Sequence, residues 1–172
     1  METLIPGPIF DPCKIPISAP EPRCEIRLSG GMTLQGTALS LGNPHFVVWK
    51  ESIDLRTLIE EVKTIGGEIE HHRIFPQRVN FELASQVDTH KVFMAVWERG
   101  VGPTRACGSG ATATVCAGVF QGILPPDEDI TVEMEGGSLQ IKVSSDLSKV
   151  SVRGPAHWVF SGNFPVKKEM AI

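Results

Sequence analysis

At 172 residues, with 41% apolar and 21% charged side chains, the chain has the size and composition of one globular domain with a well-buried core; disordered and membranous classes are excluded. A formal charge of -4 with no dense Lys/Arg cluster excludes a nucleic-acid surface. No apolar run reaches the ~20 residues of a membrane span, and Met1-Glu2-Thr3 followed by Pro6 and Pro8 is unlike a secretion signal, so the expected setting is the cytoplasm, with neither membrane nor nucleic acid as partner.

Residues 1–22 carry Pro6, Pro8, Pro12, Pro16, Pro20 and Pro22, which forbids a helix or a central strand and predicts an extended connector between domains. The pattern then changes, and a folded unit is expected over 23–162. Glu25 to Leu28 alternates as a strand, Gly30-Gly31 is a turn, Met32 to Leu41 offers a second strand, and Phe46 to Trp49 a buried third. Leu55, Leu58, Ile59, Val62 and Ile65 follow the helical period; Ser52 or Asp54 caps that helix, and Gly66-Gly67 is expected to end it. Strands are predicted at Arg78–Val87, Lys91–Glu98, Ile130–Glu135, Ser138–Val143, Val150–Arg153 and His157–Phe160, with Arg99 to Thr104 as loop. A second helix, roughly Gly108 to Gln121, contains no charged residue, so it must be surrounded by protein. The expected fold class is α+β: a curved, mostly antiparallel sheet or barrel wrapped around a central apolar helix.

Cys13, Cys24, Cys107 and Cys116 form no CxxC pair and are expected as free thiols. Cys107 stands apart because it opens the apolar helix. Unpaired N–H groups and the helix dipole favour a thiolate there, which predicts a lowered pKa. The N–H groups of Gly108 and Ser109 can hold a carboxylate, and glycines at 108 and 110 leave room for a ligand. A proton-shuttling thiol beside a carboxylate cradle suits chemistry at the α-carbon of an amino acid. Arg99 can engage a second carboxylate, and Glu98 can orient the thiol or bind an ammonium. Against these stand plainer roles: a solvated strand end for Glu98-Arg99, a turn for Asn43 before Pro44, a satisfied core amide for Asn80. No metal site is expected: His71-His72 point apart on a predicted strand, and His90 and His157 lack partners by spacing.

Gly42-Asn43-Pro44-His45, Phe75-Pro76 with Val79-Asn80-Phe81-Glu82, Trp97-Glu98-Arg99-Gly100-Val101-Gly102 with Thr104, and Ala106-Cys107-Gly108-Ser109-Gly110-Ala111 resemble the successive signatures of diaminopimelate epimerase. Gly136 to Ile141, and Gly154-Pro155-Ala156 with Val159 to Gly162, fit the later strands of that family. The resemblance implies an isomerase needing no cofactor (neither pyridoxal phosphate nor metal) that interconverts LL- and meso-diaminopimelate for lysine and peptidoglycan precursor synthesis. Two cysteines flank the α-carbon, one removing a proton and the other delivering one. It further implies Cys107 as one of the two, Glu98 as its support, and His45 as support of the opposite cysteine. Gly108 and Ser109 would bind the reacting carboxylate, while Asn43, Asn80, Glu98 and Arg99 hold the distal amino-acid end.

The resemblance also carries a departure. The family has a first half with a second cysteine in an Asn-Gly-x-x-Cys context, and neither Cys13 nor Cys24 lies in one. The chain is therefore expected to need that N-terminal domain as partner and to be inactive alone, with 163–172 as a tail returning to it. The full-length protein is expected as a homodimer. Two readings stay open: another racemase of the superfamily, such as proline racemase, and a non-catalytic or complementing subunit of a split epimerase.

Overall fold

The first helix begins at a fully formed cap. In the computed structural model, which describes residues 1–165, Asp54 accepts from the Thr57 N–H at 3.1 Å and from its hydroxyl at 2.7 Å, opening helix α1 (Leu55–Glu70). Leu58, Val62, Ile65 and Ile69 form its buried stripe. Gly66 and Gly67 do not end α1; it runs on to Glu70 and is capped by His71, so the strand expected around His71-His72 is absent. Tertiary packing overrides the stop signal. A Cβ on Gly66 would stand 2.7 Å from Cδ2 and Cε3 of Trp97, and the indole is fixed by a 2.7 Å hydrogen bond from Nε1 to Glu70. Gly66→Ala is thus expected to destabilise the chain by about 1–2 kcal/mol: overpacking against an anchored ring outweighs the gain of ~1 kcal/mol in helix propensity. A urea midpoint at or above wild type would show that the indole yields.

Among the described residues, ten strands make one open mixed sheet. They are β1 (Glu2–Pro6), β2 (Arg23–Arg27), β3 (Thr33–Ser40), β4 (Pro44–Lys50), β5 (Asn80–Asp88), β6 (Lys91–Glu98), β7 (Gly102–Thr104), β8 (Ile130–Met134), β9 (Gly137–Val143) and β10 (Lys149–Arg153). The order is β1-β10-β9-β8-β6-β5-β4-β3-β2, with β7 paired to β6. β1 and β2 remain as free edges, so the sheet does not close into a barrel. Most pairs are antiparallel; the parallel ones, β4/β5 and β6/β8, are the two places where the chain crosses over through a helix. Those helices are α1 and α2 (Gly108–Phe120), and they cover opposite faces of the sheet. Leu58, Val62 and Ile69 pack with Phe46, Val48, Phe81, Leu83 and Ala95 on one side. Ala111, Ala113, Val115, Cys116 and Ala117 pack with Val47, Ala84, Met94, Val96, Ile130, Ile141 and Val150 on the other. Residues 111 to 117 are all buried, which explains a helix of small uncharged side chains.

One local expectation gains detail and two fail. The proline-rich start contributes an edge strand, β1 on β10, then bridges Ile9 to Ser40 and stacks Phe10 on Phe120 at 4.1 Å; proline is tolerated at such an edge. The supposed loop before Cys107 holds β7, whose three residues pair back onto the end of β6. The strand predicted at His157–Phe160 does not form, and Trp158, Val159 and Phe160 are 80–85% exposed. The neighbouring edge of β10 is already occupied by β1, and Pro155 has no N–H to offer. Of the tail expected over 163–172, residues 166–172 lie outside the described residues.

Candidate active site

Strand alternation assembles the site. On β4, Val47 faces α2, and so by period two does His45; on β5, Ala84 faces α2, and with it Glu82 and Asn80; on β6, Val96 does, and with it Glu98. Polar side chains from three adjacent strands are thereby brought beneath the N-terminus of one apolar helix.

Cys107 is the N-cap of that helix, with extended backbone at φ -143°. Its Sγ accepts from the Gly110 N–H at 3.4 Å and lies 3.4 Å from the Ser109 hydroxyl. The N–H of Ala111 donates to the Cys107 carbonyl at 2.9 Å. Gly108 is exposed, and nothing lies within 4 Å of where its Cβ would be, so this part of the expected carboxylate cradle is open. Gly110 is different: it is buried, and a Cβ there would meet Glu82 Oε1 at 3.0 Å. That glycine admits the protein's own carboxylate rather than a ligand.

The expected lowering of the thiol pKa is overturned. Burial pushes Cys107 above the ordinary thiol range, the Ser109 hydroxyl and Gly110 N–H pull it back, and Glu82 and Glu98 push it up again. Desolvation and two carboxylates outweigh the helix terminus, so the resting group is the thiol.

Glu98 is half-buried, and its Oε1 accepts from the Thr104 hydroxyl at 2.5 Å, held there by the β6–β7 turn. Arg99 is exposed; its backbone N–H donates to Asn80 Oδ1 at 3.0 Å, and Nη1 donates to the Gln77 carbonyl at 3.2 Å. Asn80 also donates to the Pro44 carbonyl at 2.8 Å, so its amide splices β4, β5 and the end of β6 while keeping one donor and one acceptor position spare. His45 is fully buried: Nδ1 lies 2.7 Å from Glu82 Oε1, and Nε2 lies 3.1 Å from Asn43 Oδ1. Glu82 is absent from the expected set, although a carboxylate between the apolar Phe81 and Leu83 of a strand is a visible signal. Burial raises its pKa and the neighbouring His45 opposes that rise. Among the described residues no cluster of three His, Cys, Asp or Glu side chains could hold a metal ion. His90 pairs with Glu128 on the surface.

The family model for diaminopimelate epimerase matches residues 37–159, which include every site residue above. The chain belongs to the diaminopimelate epimerase family. It is 41% identical over 156 residues to a diaminopimelate epimerase of Pseudomonas entomophila, covering 90% of this chain and 54% of that one. With that of Thermosynechococcus vestitus it shares 43% over 132 residues, 75% of this chain and 45% of the relative. The chain thus spans about half the length of the curated relatives it matches. Among solved structures, its fold is similar to a hydroxyproline epimerase of Agrobacterium vitis (TM-score 0.59, 14% identity, 91% of this chain and 50% of that one). It is also similar to a probable proline racemase of Agrobacterium radiobacter (TM-score 0.58, 10% identity, 99% and 55%). The open mixed sheet around a buried helix is thus a fold shared with these two proteins.

Proposed function

We propose that the chain is the C-terminal half of a cofactor-independent epimerase that interconverts LL- and meso-diaminopimelate, carrying one of two acid/base cysteines. The observation that carries this reading is Cys107 at the tip of α2, with Ser109, Gly110 and two carboxylates around its sulfur. A thiol kept protonated is set to deliver a proton to an α-carbanion. The second cysteine, from an N-terminal half, removes the proton from the opposite face, and the roles exchange in the reverse direction. The Gly108 and Ser109 N–H groups bind the carboxylate at the reacting carbon and stabilise the developing charge. Glu98 supports Cys107, and His45 supports the opposing thiol. Asn43, Asn80, Glu98 and Arg99 take the distal amino-acid end, which favours diaminopimelate over a proline-type substrate. The full-length protein acts as a cytoplasmic homodimer in lysine biosynthesis.

The chain alone is proposed to be inactive, because one acid/base on one face cannot return a proton from the other. Exposed Trp158, Val159, Phe160 and Phe164 offer apolar surface for a complementing half. The test is to incubate LL-diaminopimelate in deuterium oxide with the chain, with an N-terminal-half polypeptide of a relative, and with both. Deuterated meso product is expected only from the mixture. Turnover by the chain alone, or none from two folded halves that bind each other, would sink the reading.

A further inference from the structure

The α2 face of the sheet holds one buried His–Glu pair whose contact the acid/base role of Cys107 does not explain. His45 on β4 and Glu82 on β5 are both fully buried, with Nδ1 and Oε1 2.7 Å apart. The other carboxylate oxygen of Glu82, Oε2, is buried with no hydrogen-bond partner among the described residues, and the nearby Phe46 N–H offsets the carboxylate's desolvation only in part. An ionised carboxylate in that position would lose its hydration with half of its charge uncompensated. A proton held between Oε1 and Nδ1 avoids that cost, because the pair then carries no net charge. Nε2 meets the oxygen of Asn43 at 3.1 Å, and an oxygen acceptor there calls for the second ring proton on Nε2. Three charged or titratable groups face Glu82: His45 from β4, Glu98 from β6 and Cys107 from α2. Gly110 makes the arrangement sterically possible, since a Cβ there would stand 3.0 Å from Oε1 and 3.4 Å from Cβ of Cys107.

We propose that Glu82 is a positioning residue: with His45 it forms a net-neutral pair sharing one proton, which keeps Nε2 of His45 a hydrogen-bond donor at the site. The proposal rests on the epimerase reading only for what that donor serves: a thiolate on the substrate face opposite Cys107, which the Nε2–H stabilises in exchange for its bond to Asn43 Oδ1. Glu82 acts through His45 and touches no substrate.

Histidine NMR on the chain itself tests the pair without substrate. Among the five histidines, His45 is expected to show a low-field, slowly exchanging Nδ1 proton and a protonated Nε2 at neutral pH. The assignment is made by loss of these signals in His45→Gln. In Glu82→Gln the low-field proton is expected to move to an ordinary imidazole position. A wild-type His45 with no low-field proton, or with a bare Nε2, overturns the pairing even if Glu82→Gln does not fold. In the reconstituted two-half enzyme, Glu82→Gln is expected to lower kcat about tenfold or more, leave KM within about twofold, and displace the pH profile. Wild-type kcat and pH profile in that variant overturn the positioning role. A wild-type mixture that fails to turn over defeats the epimerase reading instead, and the His45 spectrum still decides the pair.

Discussion

Cys107→Ser is expected to reduce turnover by the reconstituted epimerase about 10²–10⁴-fold, the range of a single acid/base group, while leaving the fold intact. The two halves of that expectation come from the two roles of one side chain. As N-cap, Cys107 accepts a hydrogen bond from the Gly110 N–H at 3.4 Å. A serine hydroxyl makes the same bond at shorter range and is among the best N-cap groups, so the first turn of α2 keeps or gains stability. In the acid/base role proposed for it, the sulfur must exchange a proton with a carbon acid, and a hydroxyl in the same place does not ionise in the working range. Steady-state rates with matched urea midpoints check both parts. Residual activity within tenfold of wild type would move the acid/base role to another group, and a large fall in midpoint would make the lost activity a folding effect. The raised thiol pKa adds direction: rates limited by deprotonation of Cys107 should still be climbing with pH above the ~8.5 of a free thiol.

The parts of this molecule that are legible in the sequence are those set by short-range periodicity. The apolar stripe of α1, the uncharged α2 and the alternation in β4, β5 and β6 report which face each side chain takes, and that suffices to gather His45, Asn80, Glu98 and Cys107 at one end of α2. What could not be read are the outcomes decided by a partner distant in sequence. Gly66-Gly67 carries a stop signal, yet Trp97, about thirty residues on, makes glycine the only residue that fits inside the helix. His157 to Phe160 alternates like a strand, but the edge it would join is filled by Glu2–Pro6 from the other end of the chain. The Cys107 pKa follows the same rule. The helix terminus is local and visible, whereas the burial and the carboxylates of Glu82 and Glu98 that reverse its effect are products of the tertiary fold. Glu82 itself was within reach: a carboxylate between Phe81 and Leu83 falls on the α2 face by period two, where it must have a partner.

Alkaline pH is expected to destabilise the chain through Cys116 by about 2 kcal/mol between pH 8 and pH 10. Cys116 lies at the centre of α2, wholly enclosed, and burial pushes its pKa up to about 12. In the unfolded chain the same thiol ionises near ~8.5. Between those values the folded state holds a proton that the unfolded state has released, so stability falls as pH rises; it is fully present below ~8.5 and lost progressively above it. Cys24 and Cys107 are raised by burial as well and act in the same sense. The chain has no tyrosine, and lysines titrate mainly above pH 10, so buried thiols dominate this window. Urea denaturation at pH 8, 9 and 10 measures the loss, and Cys116→Ala isolates the contribution of one thiol. The variant is less stable than wild type at pH 8 because it leaves a small cavity, yet its stability should decline less steeply, and the gap between the two chains should narrow toward pH 10. Parallel lines for the two would mean that Cys116 already ionises as freely inside α2 as in the unfolded chain, which is incompatible with its complete enclosure.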